Sequence, residues 1–488
     1  VSLVLRSDRV LLGDGTRGFR LAAADVQVQG ALITAVLPHG DSPPPVPAGA
    51  TLRDLTGSIL TPSFINAHTH LAMSAFRGLA TARVMTGNVI EELYFRVESH
   101  LQPGDVRAFS RIGAWESLLA GVGTVWDHYY YGREVVQALQ DVGLQGVVAP
   151  TLQDLAGPGV SQLESQWECT LELAADATLA EAGIGAAFGP HATDTVSPEL
   201  WRRIARASAD LSLPVHAHVA QSIEEYERAL DRHGCSPVAG LQRDGVLDAT
   251  PALLLVHGLF VSKKDIALLN PERHMLVHCP WSQVQFGFPA AERAWLDAEI
   301  PLALGTDCGA CNDTMDVQRE LKMMAWGPSY ATSWSAQADH FLDDATLGSA
   351  RLLQARRTQQ IGQQLESGTT ERLLDAVWAV PGAALPSLRQ GVIDVGARAN
   401  LAVWDPDHPA LWPGSDYLHA FVMSGMSGAL TGLFLSGQPV IDPDIGPAAI
   451  LRDGRYRAHQ QEASERLELL LARAEVDPHP WKRRGPNS

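Results

Sequence analysis

Eight short apolar segments recur through the middle of the chain, and histidine or aspartate closes most of them. They are 59–67, 124–127, 146–150, 184–189, 214–218, 252–257, 275–278 and 301–305. Stretches with helical periodicity fall between them, among them 106–120, 198–209, 224–233 and 262–269. Short strands alternating with helices are the pattern of parallel βαβ units, because a parallel pair needs a crossover long enough to hold a helix. Eight such units predict an α/β fold of the (β/α)8 barrel type. His68, His70, Asp127, His191, His218, His257, His278 and Asp307 sit at or just past the carboxyl ends of these segments. In such a barrel that end of the strands is the face that carries chemistry. Histidines placed only for packing would not favour one end of each strand.

The two ends of the chain read differently. Residues 2–10, 24–29 and 31–37 look like short strands, with turns at Asp14-Gly15 and Gly30. The proline-rich stretch 40–49 can continue neither a strand nor a helix and is expected to be an exposed connection. Residues 391–404 and 429–441 again look like strands. We therefore expect 1–58 and 380–448 to fold together as one small β domain beside a barrel of 59–379. A charged helical tail, 449–488, would follow.

A chain of 488 residues is long enough for that arrangement, or for two or three separate domains. Its formal net charge of −18 speaks against a nucleic-acid partner, since phosphate binding needs a basic surface. No apolar run reaches the roughly 20 residues that span a bilayer. Residues Val1 to Leu5 run straight into Arg6 and Asp8, without the pattern of an export signal. The five cysteines form no even framework, so reduced thiols in a cytoplasm are expected. Cys308 and Cys311 make a single C-x-x-C pair, which cannot close a four-thiolate zinc site. A redox pair is one reading; small packed loop residues is the preferred one.

His68 and His70 lie two apart on a strand, so both imidazoles point to one face and can share an ion. They end the run Leu60-Thr-Pro-Ser-Phe-Ile-Asn-Ala-His-Thr-His70. Phe188-Gly-Pro-His191, Val215-His-Ala-His-Val-Ala-Gln221, Leu254-Leu-Val-His257, His278-Cys-Pro-Trp-Ser282 and Leu304-Gly-Thr-Asp307 follow, the last with Asn312 and Asp316 behind it. Gly391 to Asp405 carries G-x-I-x-x-G-x-x-A-x-L-x-x-x-D. Together these runs resemble the amidohydrolase superfamily, in the branch of methylthioadenosine/S-adenosylhomocysteine deaminases and triazine hydrolases, over nearly the whole chain.

The resemblance implies a (β/α)8 barrel and a β-sandwich made from both termini. It implies that His68, His70, His218 and Asp307 bind one divalent metal ion, zinc first and iron second. Such an ion lowers the pKa of water toward about 7, which makes hydroxide available at neutral pH. Asp307 would act as general base, His257 would orient the nucleophile, and His191 and Gln221 would contact the substrate. The substrate would be a small nitrogen heterocycle and the reaction water attack on a C–N bond, deamination above all. Displacement of halide or alkylamine from a triazine-like ring, or amide hydrolysis, is the alternative. A non-catalytic scaffold is the reading from another class, and it gives no reason to keep four ligands together. Either reading is compatible with a homo-oligomer.

The main departure is Gln221, where the family pattern has a glutamate that carries a proton between water and substrate. An amide cannot carry a proton. Glu91, Glu92, Glu224 and Glu225 are candidates to replace it, or the leaving group needs little protonation. His216 is expected to be a hydrogen-bonded core histidine, and His278 to be structural or to line the pocket. His128 and Tyr129 to Tyr131 would either stack on a flat ring or pack among themselves. Cys308 and Cys311 stand where the family pattern has a glycine and a serine, and Ser63, Asp313 and Asn400 are lesser departures. Specificity is expected from loops 77–98, 129–133 and 282–292.

Overall fold

The computed structural model describes residues 2–14, 18–79, 88–286, 292–332, 335–367 and 370–476. Both ends of the chain enter one eight-stranded sheet. Leu3–Leu12 pairs antiparallel with Arg20–Gln29, which pairs with Leu32–Pro38. Gly30 makes the tight return with φ +59°, a backbone conformation that glycine adopts without a Cβ penalty. The first strand also runs parallel to Thr51–Asp54 and Ile59–Pro62. Ile59–Pro62 then pairs with Leu401–Trp404, and Leu430–Leu435 and Gln438–Ile441 complete the sheet. Val10, Val26, Val28, Leu60, Leu401, Val403 and Phe434 form one buried cluster, so residues more than 300 positions apart share a core.

The middle of the chain supplies parallel strands buried along their whole length, as a sheet covered on both faces requires. Phe64–His70, Val122–Tyr129, Gln145–Leu152 and Ile184–Ala186 pair in succession. Val215–Val219, Leu253–His257, His274–His278 and Leu302–Leu304 do the same. Parallel bridges Phe188–Val215 and Ala192–His218 join the two sets. At the opposite margin Asp307–Cys308 pairs with Thr69 and His70 of the first strand. Gly305 allows that approach, since a Cβ there would lie 2.7 Å from the backbone of His68.

Two segments differ from their expected form. The strand 59–67 is two strands, because hydrogen bonding changes partner at Ser63. Pro62 offers no N–H, Ser63 N–H donates to the Asn400 carbonyl, and Phe64 N–H turns to that of Gly121. The segment 184–189 likewise breaks into Ile184–Ala186 and Gly189–Pro190. In the tail, the helix Gly454–Arg473 packs on the helix Pro103–Leu119. Asp105, buried on the latter, receives Arg466 at 3.3 Å and also Arg473, while Trp115 Nε1 donates to His459 Nδ1 at 3.1 Å. Residues 477–488 of the tail lie outside the described residues, as do 80–87 and 287–291 of the two longer loops and Gly15 of the first turn. Among the described residues, no helix is long and apolar enough to cross a membrane.

Candidate metal centre and substrate cavity

Strand periodicity places His68 and His70 on one face of Phe64–His70, and the neighbouring strand ends bring three further groups to them. His218 Nε2 lies 3.3 Å from His68 Nε2. Asp307 Oδ1 lies 3.6 Å from His68 Nε2 and 3.5 Å from His70 Nε2, and its Oδ2 lies 3.9 Å from His257 Nε2. These donors suit one another because their remaining atoms are already engaged. His70 Nδ1 meets the His128 carbonyl, and His218 Nδ1 lies 2.7 Å from that of His191. A carbonyl only accepts, so both Nδ1 atoms carry the proton and both Nε2 atoms present lone pairs. His216 Nε2 lies 3.1 Å from His68 Nδ1 and fixes the third ring. Burial holds the imidazoles of His68, His70 and His218 below their usual pKa, and takes His257 down to about 4. Neutral nitrogen donors and one carboxylate oxygen, converging in a buried space, fit a single divalent ion with a preference for N and O ligands.

The backbone is bent to make this fit. His257 and Asp307 hold φ at +73° and +59°, a region that costs a non-glycine residue on the order of 1–3 kcal/mol. Ser282 Oγ donates to Asp307 Oδ2 at 2.6 Å and orients the carboxylate from the side away from the imidazoles' Oδ1 contacts.

A cavity of about 260 Å³ opens from these groups. His70, His218, His257 and Asp307 line it, and so do His191 and Gln221. His191 Nδ1 lies 2.9 Å from Thr195 Oγ1, and its ring packs 5.1 Å from that of His218. Of the four carboxylates considered for the missing acid, Glu224 lines the cavity. Glu225 is buried behind it, accepting the backbone N–H groups of Ala220 at 3.0 Å and Gln221 at 2.7 Å. Burial beside Asp194 pushes its carboxyl up to about 7. Glu91 points away to Arg228 at 2.6 Å, and Glu92 is exposed.

Asp127, two residues before the end of Val122–Tyr129, and His278, at the end of His274–His278, do not line the cavity: Asp127 Oδ2 accepts the Leu71 N–H at 2.7 Å, and His278 packs against Trp295. His128 does line the cavity, with its ring stacked 5.1 Å from that of His218. The tyrosine run divides between packing and lining, since Tyr129 and Tyr130 face the cavity and Tyr131 binds the Leu101 carbonyl.

Sequence reasoning missed Glu98. It lines the cavity fully buried, accepts Tyr129 Oη at 2.8 Å, and is pushed by burial up to about 7. Its sequence signal was a carboxylate one helical turn after Tyr94. Cys308 and Cys311 also line the cavity. They are joined as a disulfide rather than reduced, with Cys311 Sγ 3.4 Å from Asp307 Oδ2.

Residues 59–358 match the model of the amidohydrolase family. A 5-methylthioadenosine/S-adenosylhomocysteine deaminase of Halobacterium salinarum is 28% identical over 434 residues, 88% of this chain and 90% of that protein. One from Pyrococcus abyssi is 27% identical over 451 residues, 90% and 94% of the two chains. Among solved structures, an adenosine deaminase from Xanthomonas campestris with bound zinc superposes with a TM-score of 0.76 at 21% identity, covering 96% of this chain and 99% of that one. An atrazine chlorohydrolase from Arthrobacter aurescens complexed with zinc gives 0.75 at 20% identity, over 96% and 100%. With its histidine-bearing strands inside the matched span, the chain belongs to the amidohydrolase family.

Proposed function

We propose that this chain is a mononuclear metal-dependent hydrolase that removes an amino group from a small nitrogen heterocycle. The observation that carries the reading is the convergence of His68, His70, His218 and Asp307, with the His70 and His218 tautomers set so that their Nε2 lone pairs face inward. Zinc is preferred to iron because the zinc-bound adenosine deaminase and triazine hydrolase share this fold. When bound, the ion supplies the Lewis acidity that lets water act as a nucleophile at neutral pH. Asp307 takes the water proton, His257 orients the nucleophile, and His191 with Gln221 positions the ring. We read the two sets of parallel strands as one closed (β/α)8 barrel of about residues 59–379 and the terminal sheet as part of a β-sandwich domain. The three free cysteines support a cytoplasmic setting, while the Cys308–Cys311 disulfide speaks against it.

A second reading follows from Gln221. An amide lining the cavity where the family has a carboxylate favours a leaving group that departs without a proton, such as halide from a triazine-like ring. The zinc-loaded protein, assayed on purines, pterins, pyrimidines and chloro-triazines, separates the two. Ammonia release from an amino-heterocycle supports deamination. Chloride or alkylamine release alone supports the second reading, and no turnover by fully loaded protein overturns both.

A further inference from the structure

The cysteine pair beside Asp307 has no part in the chemistry above, yet it is built into the wall of the cavity. Cys308 and Cys311 are both buried, and both face the space that the substrate would occupy. The turn that carries them is closed by Cys311 N–H and Asn312 N–H, both donating to the Cys308 carbonyl at 3.2 and 3.1 Å. Gly309 seats the turn on its neighbours: a Cβ there would lie 2.8 Å from Ser74 Cα and 2.9 Å from the Met73 carbonyl. The backbone therefore keeps the two cysteine Cα atoms 5.5 Å apart by contacts that do not involve the sulfurs. One atom from each of Asp307, Cys308 and Cys311 lies within 4.8 Å of the other two.

We propose that, once reduced, Cys308 and Cys311 form with Asp307 a second metal position, selective for a thiophilic divalent ion, next to the imidazole position. It rests on the reading of Asp307 as a ligand of the first ion, and makes that carboxylate common to both. Two equivalents of a small thiol convert the disulfide to two cysteine thiols and are themselves joined as a disulfide. On ion binding each thiol gives its proton to solvent and its sulfur lone pair to the metal. Thiolate pairs select soft or borderline ions such as zinc, cadmium or cobalt over magnesium or calcium. In the oxidised chain the sulfurs are bonded to each other, and the three imidazoles with Asp307 are the remaining set.

The test is cobalt(II) titration of the full chain, reduced with a phosphine or oxidised with diamide. Reduced protein is expected to take up about two ions and to show thiolate-to-cobalt charge transfer in the near ultraviolet; oxidised protein about one ion and no such band. The doubly substituted Cys308→Ser, Cys311→Ser chain should lack the band, which excludes Cys169, Cys235 and Cys279 as its source. A His68→Ala, His218→Ala chain should keep it. Visible cobalt bands without charge transfer in the reduced wild type overturn the second position and leave the imidazole centre standing. A band that survives both serine substitutions, or vanishes with the histidines, also overturns it. Loss of every cobalt signal overturns both positions.

Discussion

The Nε2 atoms of His68 and His218 face each other across 3.3 Å, each backed by a partner on its Nδ1. His218 cannot rotate its proton toward His68 without abandoning the His191 carbonyl 2.7 Å behind it. The His218 lone pair, His68 Nε2 and the Asp307 carboxylate thus converge on one point, an arrangement that an ion stabilises.

Removing metal should therefore lower stability. Chelation is expected to reduce Tm, and zinc at a hundred times its Kd to restore about 2.7 kcal/mol. His218→Ala should abolish the zinc-dependent part while leaving a folded chain. A wild-type Tm indifferent to zinc would sink the four-ligand reading.

Gln221→Glu should raise turnover of an amino-heterocycle. The position already lines the cavity, and its backbone is anchored by Glu225, so the new carboxyl begins in place. A positioned proton carrier contributes on the order of 10²–10⁴ in rate. Ammonia release by the two forms under saturating substrate measures it; an equal or lower rate in the variant shows that proton carriage is not what limits this enzyme.

The convergence of His68, His70, His218 and Asp307 was legible because strand periodicity and strand-end position are both written in sequence, and the family motifs single out these histidines. Asp307 needed only Gly-Thr before it. Glu98 was not legible, since its burial depends on packing against Tyr129, which lies 31 positions away. The split at Ser63 was also hidden: it is decided by the Asn400 carbonyl, supplied by a strand over 300 residues distant. Asn400 itself shows why its departure from the motif is tolerated. Its amide donates to Gln145 and Gln390 at 2.8 and 2.7 Å and accepts from Ser436 N–H, so the Asn400 side chain has partners for both its donor and its acceptor atoms without a charge.

Glu98 makes stability depend on pH in a stated direction. Burial raises its carboxyl from 4.5 to about 7, so the folded chain keeps a proton that the unfolded chain has lost. Below pH 4.5 both states are protonated and its contribution is complete. As pH rises to about 7 that contribution is lost, up to about 3 kcal/mol for a shift of this size. Glu98→Gln keeps an acceptor for Tyr129 and removes the titration. Its stability relative to wild type should climb between pH 4.5 and 7 and then level off in denaturant unfolding; a flat difference would mean that Glu98 is ionised when folded.

Asp105 is one of the points at which the carboxyl-terminal helix is fastened to Pro103–Leu119, beside Trp115–His459 and the Arg111–Glu462 pair at 3.0 Å. It is 1% exposed, accepts Arg466 and Arg473 from that helix, and also caps its own helix through the Gln102 N–H at 2.9 Å. The two arginines are about one-third exposed, so water recovers part of what they lose when the carboxylate is neutralised. Asp105→Asn leaves the cap and removes the charge, and should cost about 2–3 kcal/mol. Arg466→Ala alone should cost less, because Arg473 still satisfies the carboxylate. If the helix docks through these ion pairs, both variants lower the denaturant midpoint at unchanged m, and the pair is less than additive. Full additivity would mean that Arg466 and Asp105 act apart, and that Trp115 with His459 carries the docking instead.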